Sequence, residues 1–204
     1  MKKNKLIVLE GIDGSGTSTQ IELLNRVLSS QGFSVNISGE PTKSVIGQEI
    51  RKILAAKEPS SQREFAQLAL LFAADRMRHI NEVIIPSLDK YDFVLLDRYV
   101  MSSLVYQGLY QPIEWIKQIN SYALLPDLTI VLDVSIEEAV KRLSLRQTTK
   151  DFFEESKLLE KFRQRYLHFA KLDEQNSIVI DGTSNKDEVL SQIHGLIAQR
   201  FVSC

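Results

Sequence analysis

The stretch GIDGSGTSTQ at residues 11–20 follows a short apolar run and carries three glycines within six positions. Gly11 and Gly16 keep the frame of a phosphate-binding loop, in which a glycine, four residues and a second glycine are followed by lysine and then serine or threonine. Ser18 fills the last slot, where a hydroxyl touches Mg²⁺, but Thr17 stands in place of the lysine. Such a loop binds an anion chiefly through main-chain N–H groups and the positive end of the helix that follows. Without the lysine, nucleotide binding is expected to survive. The transition state loses one aimed donor, which costs about 3 kcal/mol, or on the order of 100-fold in rate.

A second segment, VLLDRYVMSSLVYQG (94–108), runs from apolar residues into Asp97 and Arg98. A carboxylate at that place is where this kind of fold holds a metal, so Asp97 is the candidate partner of Ser18. Asp133, at the end of TIVLD, competes for the role but has no basic neighbour in sequence. On a helix from residue 100, Ser103 and Gln107 share one face, as do Ser102 and Tyr106. The alternative reading is a surface ion pair of Asp97 with Arg98 and a serine-capped helix.

The third feature is a charge in an apolar stripe. Phe65, Ala69, Phe72, Arg76, Ile80 and Val83 fall on one arc at helical spacing, and Arg76 is the charged member. A guanidinium there must be paired or open to a cavity. Either it joins Phe72 in holding a planar base, or it pairs with a buried carboxylate while Phe72 belongs to the core.

These residues need a scaffold that gathers strand ends. Apolar runs at 5–10, 33–38, 92–97, 127–133 and 177–181 alternate with helical patterns at about 17–31, 44–56, 61–84, 101–107, 112–124, 135–146, 153–174 and 186–201. The expected fold is α/β, a doubly wound five-stranded parallel sheet flanked by helices, with ligands beyond the carboxyl ends of the strands. One domain spanning 1–204, with no repeat or linker, suits 204 residues.

Composition narrows the partners. With 25 basic and 26 acidic residues the chain has no broad positive field for a nucleic acid polymer or an anionic membrane. The apolar run at 68–74 is too short to span a bilayer, and the one at 6–9, broken by Glu10, reads as a strand and not a signal peptide. The single cysteine, Cys204, makes no internal disulfide, so a cytoplasmic location is expected. His79, His168 and His194 lack partners at metal-ligand spacing and read as helix-surface residues.

Taken in order, EGIDGSG, GEP with IGQEIRKIL, LLFAADRMRH, DRYVMSSLVYQG and PDLTIVLDVSIEEAVKRL resemble thymidylate kinases, P-loop nucleoside monophosphate kinases that phosphorylate dTMP with ATP. The resemblance runs through nearly the whole chain. It implies that ATP and Mg²⁺ lie along Gly11, Ile12, Asp13, Gly14, Ser15, Gly16, Thr17, Ser18 and Thr19, with Arg142 against adenine. It implies that Phe72 stacks on thymine, that Arg76 and Gln107 meet the base edge, and that Tyr106 lies near the deoxyribose. Asp13 and Ser103 would share that pocket. Arg98 and Arg51 would grip the acceptor phosphate, with Glu40 close by and Lys43 a further candidate. A homodimer is also implied. The lid segment, about 144–155, departs from the family pattern, and its cations Arg146 and Lys150 are the candidates to replace the loop lysine. The rival readings are an impaired nucleotide-binding pseudokinase, argued from Thr17, and a deoxynucleoside kinase, whose acceptor would leave Arg51 and Arg98 without an anion.

Overall fold

A computed structural model of the chain describes residues 4–56, 59–145, 152–172 and 174–202. Each predicted strand forms: β1 (Lys5–Glu10), β2 (Val35–Gly39), β3 (Phe93–Asp97), β4 (Leu128–Asp133) and β5 (Ser177–Asp181). All pair in parallel in the order β2-β3-β1-β4-β5, so the chain reverses its winding next to β1. The crevice of a doubly wound sheet lies at that reversal, beyond the strand ends.

Side chains alternate across a strand, and in the inner strands β1, β3 and β4 both sets are largely apolar because both faces are covered. Ile7, Leu9, Leu95 and Ile130 face α1 (Thr17–Ser30) and α9 (Lys186–Ile197) through Leu24, Leu28 and Ile193. Leu6, Val8, Val94, Leu96 and Val131 face the opposite layer, to which α3 (Gln62–His79), α5 (Val100–Tyr106), α6 (Ile113–Ile119) and α8 (Phe152–Lys171) contribute. Two further helices, α2 (Val45–Ala56) and α7 (Ile136–Ser144), follow β2 and β4. The start of α3 is fixed by a capping box between Ser61 and Glu64.

Three helix boundaries differ from the sequence reading. Beyond α3 the chain widens into a π-helical segment, Ile80–Ile84, closed by a bond from the Ile85 N–H to the Ile80 carbonyl, and one more turn, α4 (Ile85–Leu88), follows. Pro86 explains the widening, since it has no N–H for the Glu82 carbonyl. α6 ends at Ile119 and not near 124, because the Asn120 side chain turns back to the Ile116 carbonyl and reaches Arg76. After α9, residues Ala198–Val202 take π-helical form.

Candidate active site

The loop between β1 and α1 turns through Gly14 at φ 85° and Gly16 at φ 97°, conformations that favour glycine. A Cβ on Gly14 would lie 2.6 Å from the Ala139 carbonyl oxygen, so the loop packs directly on α7. Arg142 of α7 locks the back of the loop. Its guanidinium donates to the carbonyls of Gly14 (3.4 Å), Ser15 (3.2 Å) and Gly182 (3.0 Å), and its Nε donates to Glu138 (2.8 Å). Thr17 begins α1 with its side chain buried, while Ser18 is exposed and donates its hydroxyl to Asp97 Oδ2. The other oxygen, Asp97 Oδ1, is buried without a hydrogen-bond partner. Asp133 is engaged elsewhere: Arg163 of α8 grips it at 2.6 and 2.9 Å.

Three cavities run into one another around this loop. The central one, about 1010 Å³, holds Gly16, Thr17, Ser18, Asp97, Lys43 and Arg51. A second, about 420 Å³, lies behind the loop between Gly14, Thr19, Arg142 and the 182–186 turn. The third, also about 420 Å³, is bounded by Phe65, Phe72, Arg76, Ser103, Tyr106, Gln107 and Phe162. Asp13, Glu40, Pro41 and Arg98 line both the central and the third cavity.

Arg98 sits at that junction in the left-handed region, at φ 68°, which is costly for a residue with a Cβ. Its surroundings hold it there. It pairs with Asp13 at 2.6 Å and donates to Ser102 (3.3 Å), Tyr106 (3.2 Å) and Tyr166 (3.1 Å). Burial alone would lower its pKa, but Tyr106, Tyr166, Asp13 and Glu10 reverse that and raise it further, so the guanidinium stays charged. Burial pushes the Tyr106 phenol up to about 12 against the pull of Arg98, and it raises Tyr166 as well.

Beneath them lies Glu10, wholly buried at the end of β1. It accepts from the N–H groups of Tyr99 (2.8 Å) and Ser102 (3.2 Å), the Ser102 hydroxyl (2.6 Å) and the Tyr166 phenol (3.1 Å). Burial raises its pKa, and the bonds from Ser102 only partly offset this.

Arg76 is 2% exposed, and each of its three guanidinium nitrogens donates to an acceptor. Glu40 accepts from Nε at 2.9 Å and forms an ion pair with Nη2 at 2.7 Å. Ser103 (3.1 Å), Asn120 and the Tyr99 carbonyl (3.0 Å) also accept from the guanidinium. The buried-carboxylate reading of Arg76 therefore holds, and Arg76 is also among the residues lining the third cavity. Gln107 is the opposite case: its Oε1 is buried there without a partner.

His79 corrects the sequence reading. It is buried and not on the helix surface, with Nδ1 3.1 Å from Glu40 Oε1 and Nε2 2.7 Å from the Ser38 hydroxyl. The π-helical turn after α3 follows it directly. Arg51 is exposed and donates to the carbonyls of Pro41, Thr42 and Gly47 (3.3 Å for the last). Arg146 and Lys150 lie outside the described residues.

Sequence reasoning missed Glu10, Ser38, Asp75, Asn120 and Tyr166. Asp75 precedes Arg76 and ties down the loop after β2, accepting from the Thr42 N–H and hydroxyl, both at 2.6 Å, and from Ser44 at 2.7 Å. Glu10 was recoverable, because a carboxylate closing an otherwise apolar buried strand needs partners.

Residues 9–193 match the family model described as thymidylate kinase. The chain belongs to the thymidylate kinase family. It is 39% identical over 201 residues to a probable thymidylate kinase of Pyrococcus horikoshii, covering 96% of this chain and 97% of that protein. It is 40% identical to a probable thymidylate kinase of Methanobrevibacter smithii, covering 97% and 96% of the two chains. With the thymidylate kinase of Thermosipho melanesiensis the identity is 38%, over 94% of this chain and 96% of that one. Within the described residues no helix is long and apolar enough to cross a membrane.

Proposed function

We propose that this thymidylate kinase family member moves the γ-phosphoryl group of ATP to dTMP, giving dTDP and ADP. One observation carries the reading: the cavity at the glycine loop and the cavity with the aromatic and amide walls meet at Asp13 and Arg98. Two ligands laid end to end therefore bring their phosphates together at that junction. An oxygen of the dTMP phosphate forms the new bond to phosphorus as the bond to the ADP oxygen breaks, with Arg98 beside the transferring group. Such a reaction asks of the protein mainly positioning and charge.

On the acceptor side, thymine stacks on Phe72 and offers its ring N–H to Gln107 Oε1, the buried carbonyl that has no protein partner. Arg76 borders the base and keeps the wall rigid, because Glu40, Ser103, Asn120 and the Tyr99 carbonyl already occupy its donors. Tyr106 flanks the sugar, and Arg51, on α2, braces the loop that faces the acceptor phosphate. On the donor side, Gly11 to Thr19 seat the triphosphate, with adenine in the cavity beside Arg142.

The donor set also suits Mg²⁺. A hydroxyl on Ser18 and a carboxylate on Asp97, with Oδ1 unpartnered, are hard oxygen ligands of the kind that ion takes alongside phosphates. When bound, it neutralises charge on the β and γ phosphates. The family relationship lends nothing to the pseudokinase alternative.

A coupled assay of ADP release with ATP and dTMP tests the reading. Turnover with dTMP and none with thymidine is the expected result. Tight dTMP binding with no turnover at high enzyme concentration would overturn it.

A further inference from the structure

Thr17 leaves the phosphate cradle short of one positive charge, so the cations that line the same cavity need separate inspection. Arg98 is paired with Asp13, and Arg78 donates to Glu82 at 2.8 Å. Arg51 is turned onto the carbonyls of Pro41, Thr42 and Gly47. Lys43 differs from all three. It is exposed to the cavity, and among the described residues no group accepts from its ammonium.

The backbone carrying Lys43 is fixed although its side chain is not. Gly39 pairs in register with Asp97, so the chain leaves β2 beside the proposed metal ligand and reaches Lys43 four residues later. Thr42 and Ser44, on either side, are both bound to Asp75, and Arg51 braces the loop from α2. A flexible four-carbon stem on an anchored base can carry a compact charge to a phosphate.

We infer that Lys43 supplies to the ATP phosphates the charge that the loop position 17 no longer provides. This rests on the proposed ATP-dependent reaction and assigns one of its missing parts. The charge is presented across the cavity, from the loop after β2, and not from the first turn of α1. It stabilises negative charge on the group being transferred, and no bond to Lys43 forms or breaks.

A double-mutant cycle decides the matter. In the Thr17 enzyme, Lys43→Ala should lower kcat on the order of 100-fold with little change in the KM for dTMP, and Lys43→Arg should restore most of the rate. In a Thr17→Lys background, the same Lys43→Ala change should cost less than about 3-fold, because position 17 again carries the charge. Equal losses in both backgrounds would overturn the inference, as would a raised dTMP KM at unchanged kcat. Calorimetric titration with ATP and magnesium gives a second reading: Lys43→Ala should weaken binding in the Thr17 protein and not in the Thr17→Lys protein. If the unsubstituted protein turned over no dTMP, the proposed reaction would fail, but the ATP-binding cycle would still decide the role of Lys43.

Discussion

The two ends of the crevice are built in opposite ways. At the acceptor end, Arg76, Glu40, His79, Ser103 and Asn120 hold one another in a buried network, and Gln107 Oε1 is left open. At the donor end the framework is a contiguous loop, and Ser15 Oγ, Gln20 Oε1 and Asp97 Oδ1 are all buried without partners. A closed network makes a rigid cavity that selects shape. Open polar groups around a glycine turn wait for a charged ligand. Under the proposed reaction, the acceptor cavity is thus finished before substrate arrives, whereas the donor site would be completed by the triphosphate and its metal.

The sharpest break of that contrast is one denaturation experiment on both ends. Glu40→Ala leaves the Arg76 guanidinium at 2% exposure without its carboxylate, and loss of one partner of such a pair costs about 3–5 kcal/mol. Ser18→Ala removes an exposed hydroxyl and should change stability by less than about 0.5 kcal/mol. Urea unfolding of the two variants reads both values. Similar losses would mean that the donor loop is as much a structural network as the acceptor wall.

Activity should show the reverse pattern. Asp97→Asn keeps the shape of the side chain but weakens its hold on a cation, so kcat should fall on the order of 100-fold, about 3 kcal/mol. Affinity for dTMP should stay within about 2-fold, since Asp97 lines the central cavity and not the base cavity. Steady-state kinetics with equilibrium binding checks this, and a large loss of dTMP affinity would join the two ends into one unit.

A smaller effect sharpens the acceptor side. His79→Ala strands Glu40 Oε1 inside the protein and frees the half-buried Ser38 hydroxyl, at a cost of about 1–3 kcal/mol. His79→Asn returns an N–H near the Nδ1 position and should recover part of that stability. Equal melting temperatures for the two variants would show that the histidine acts by filling space and not by its bond to Glu40.

What could be read in advance follows the same division. The donor loop is contiguous, so its glycines, Ser18 and the vacancy at Thr17 were visible in ten residues. The three inner strands were legible because both faces of the sheet are covered there, which makes them short, largely apolar runs. The acceptor network joins residues as far apart as Glu40, Arg76 and Asn120, and no local pattern records such a pairing. The helical spacing of Arg76 exposed an unpaired charge but not its partners. His79 misled because a buried histidine and a surface histidine occupy the same kind of helical position. They differ only in whether a distant carboxylate meets the ring.

The smallest expected effect is a slope, and it concerns the strand end that both regions share. Glu10 closes β1 directly before the glycine loop and accepts bonds from Ser102 and Tyr166, two of the groups around Arg98. Burial raises its pKa above the ordinary value of 4.5. Between 4.5 and the raised value the folded chain therefore holds a proton that the unfolded chain has released. In that window stability must fall as pH rises. The contribution is fully present below 4.5 and is lost as pH climbs through the folded-state value. Glu10→Gln removes the titration and retains a group of similar size. The stability of the unsubstituted protein relative to this variant should decline from about pH 4 upward and level off above the raised pKa, as read from urea midpoints across pH. A difference that rises with pH would mean that the Ser102, Tyr99 and Arg98 interactions outweigh burial. The junction between the two cavities would then rest on an ionised carboxylate that the protein stabilises at every working pH.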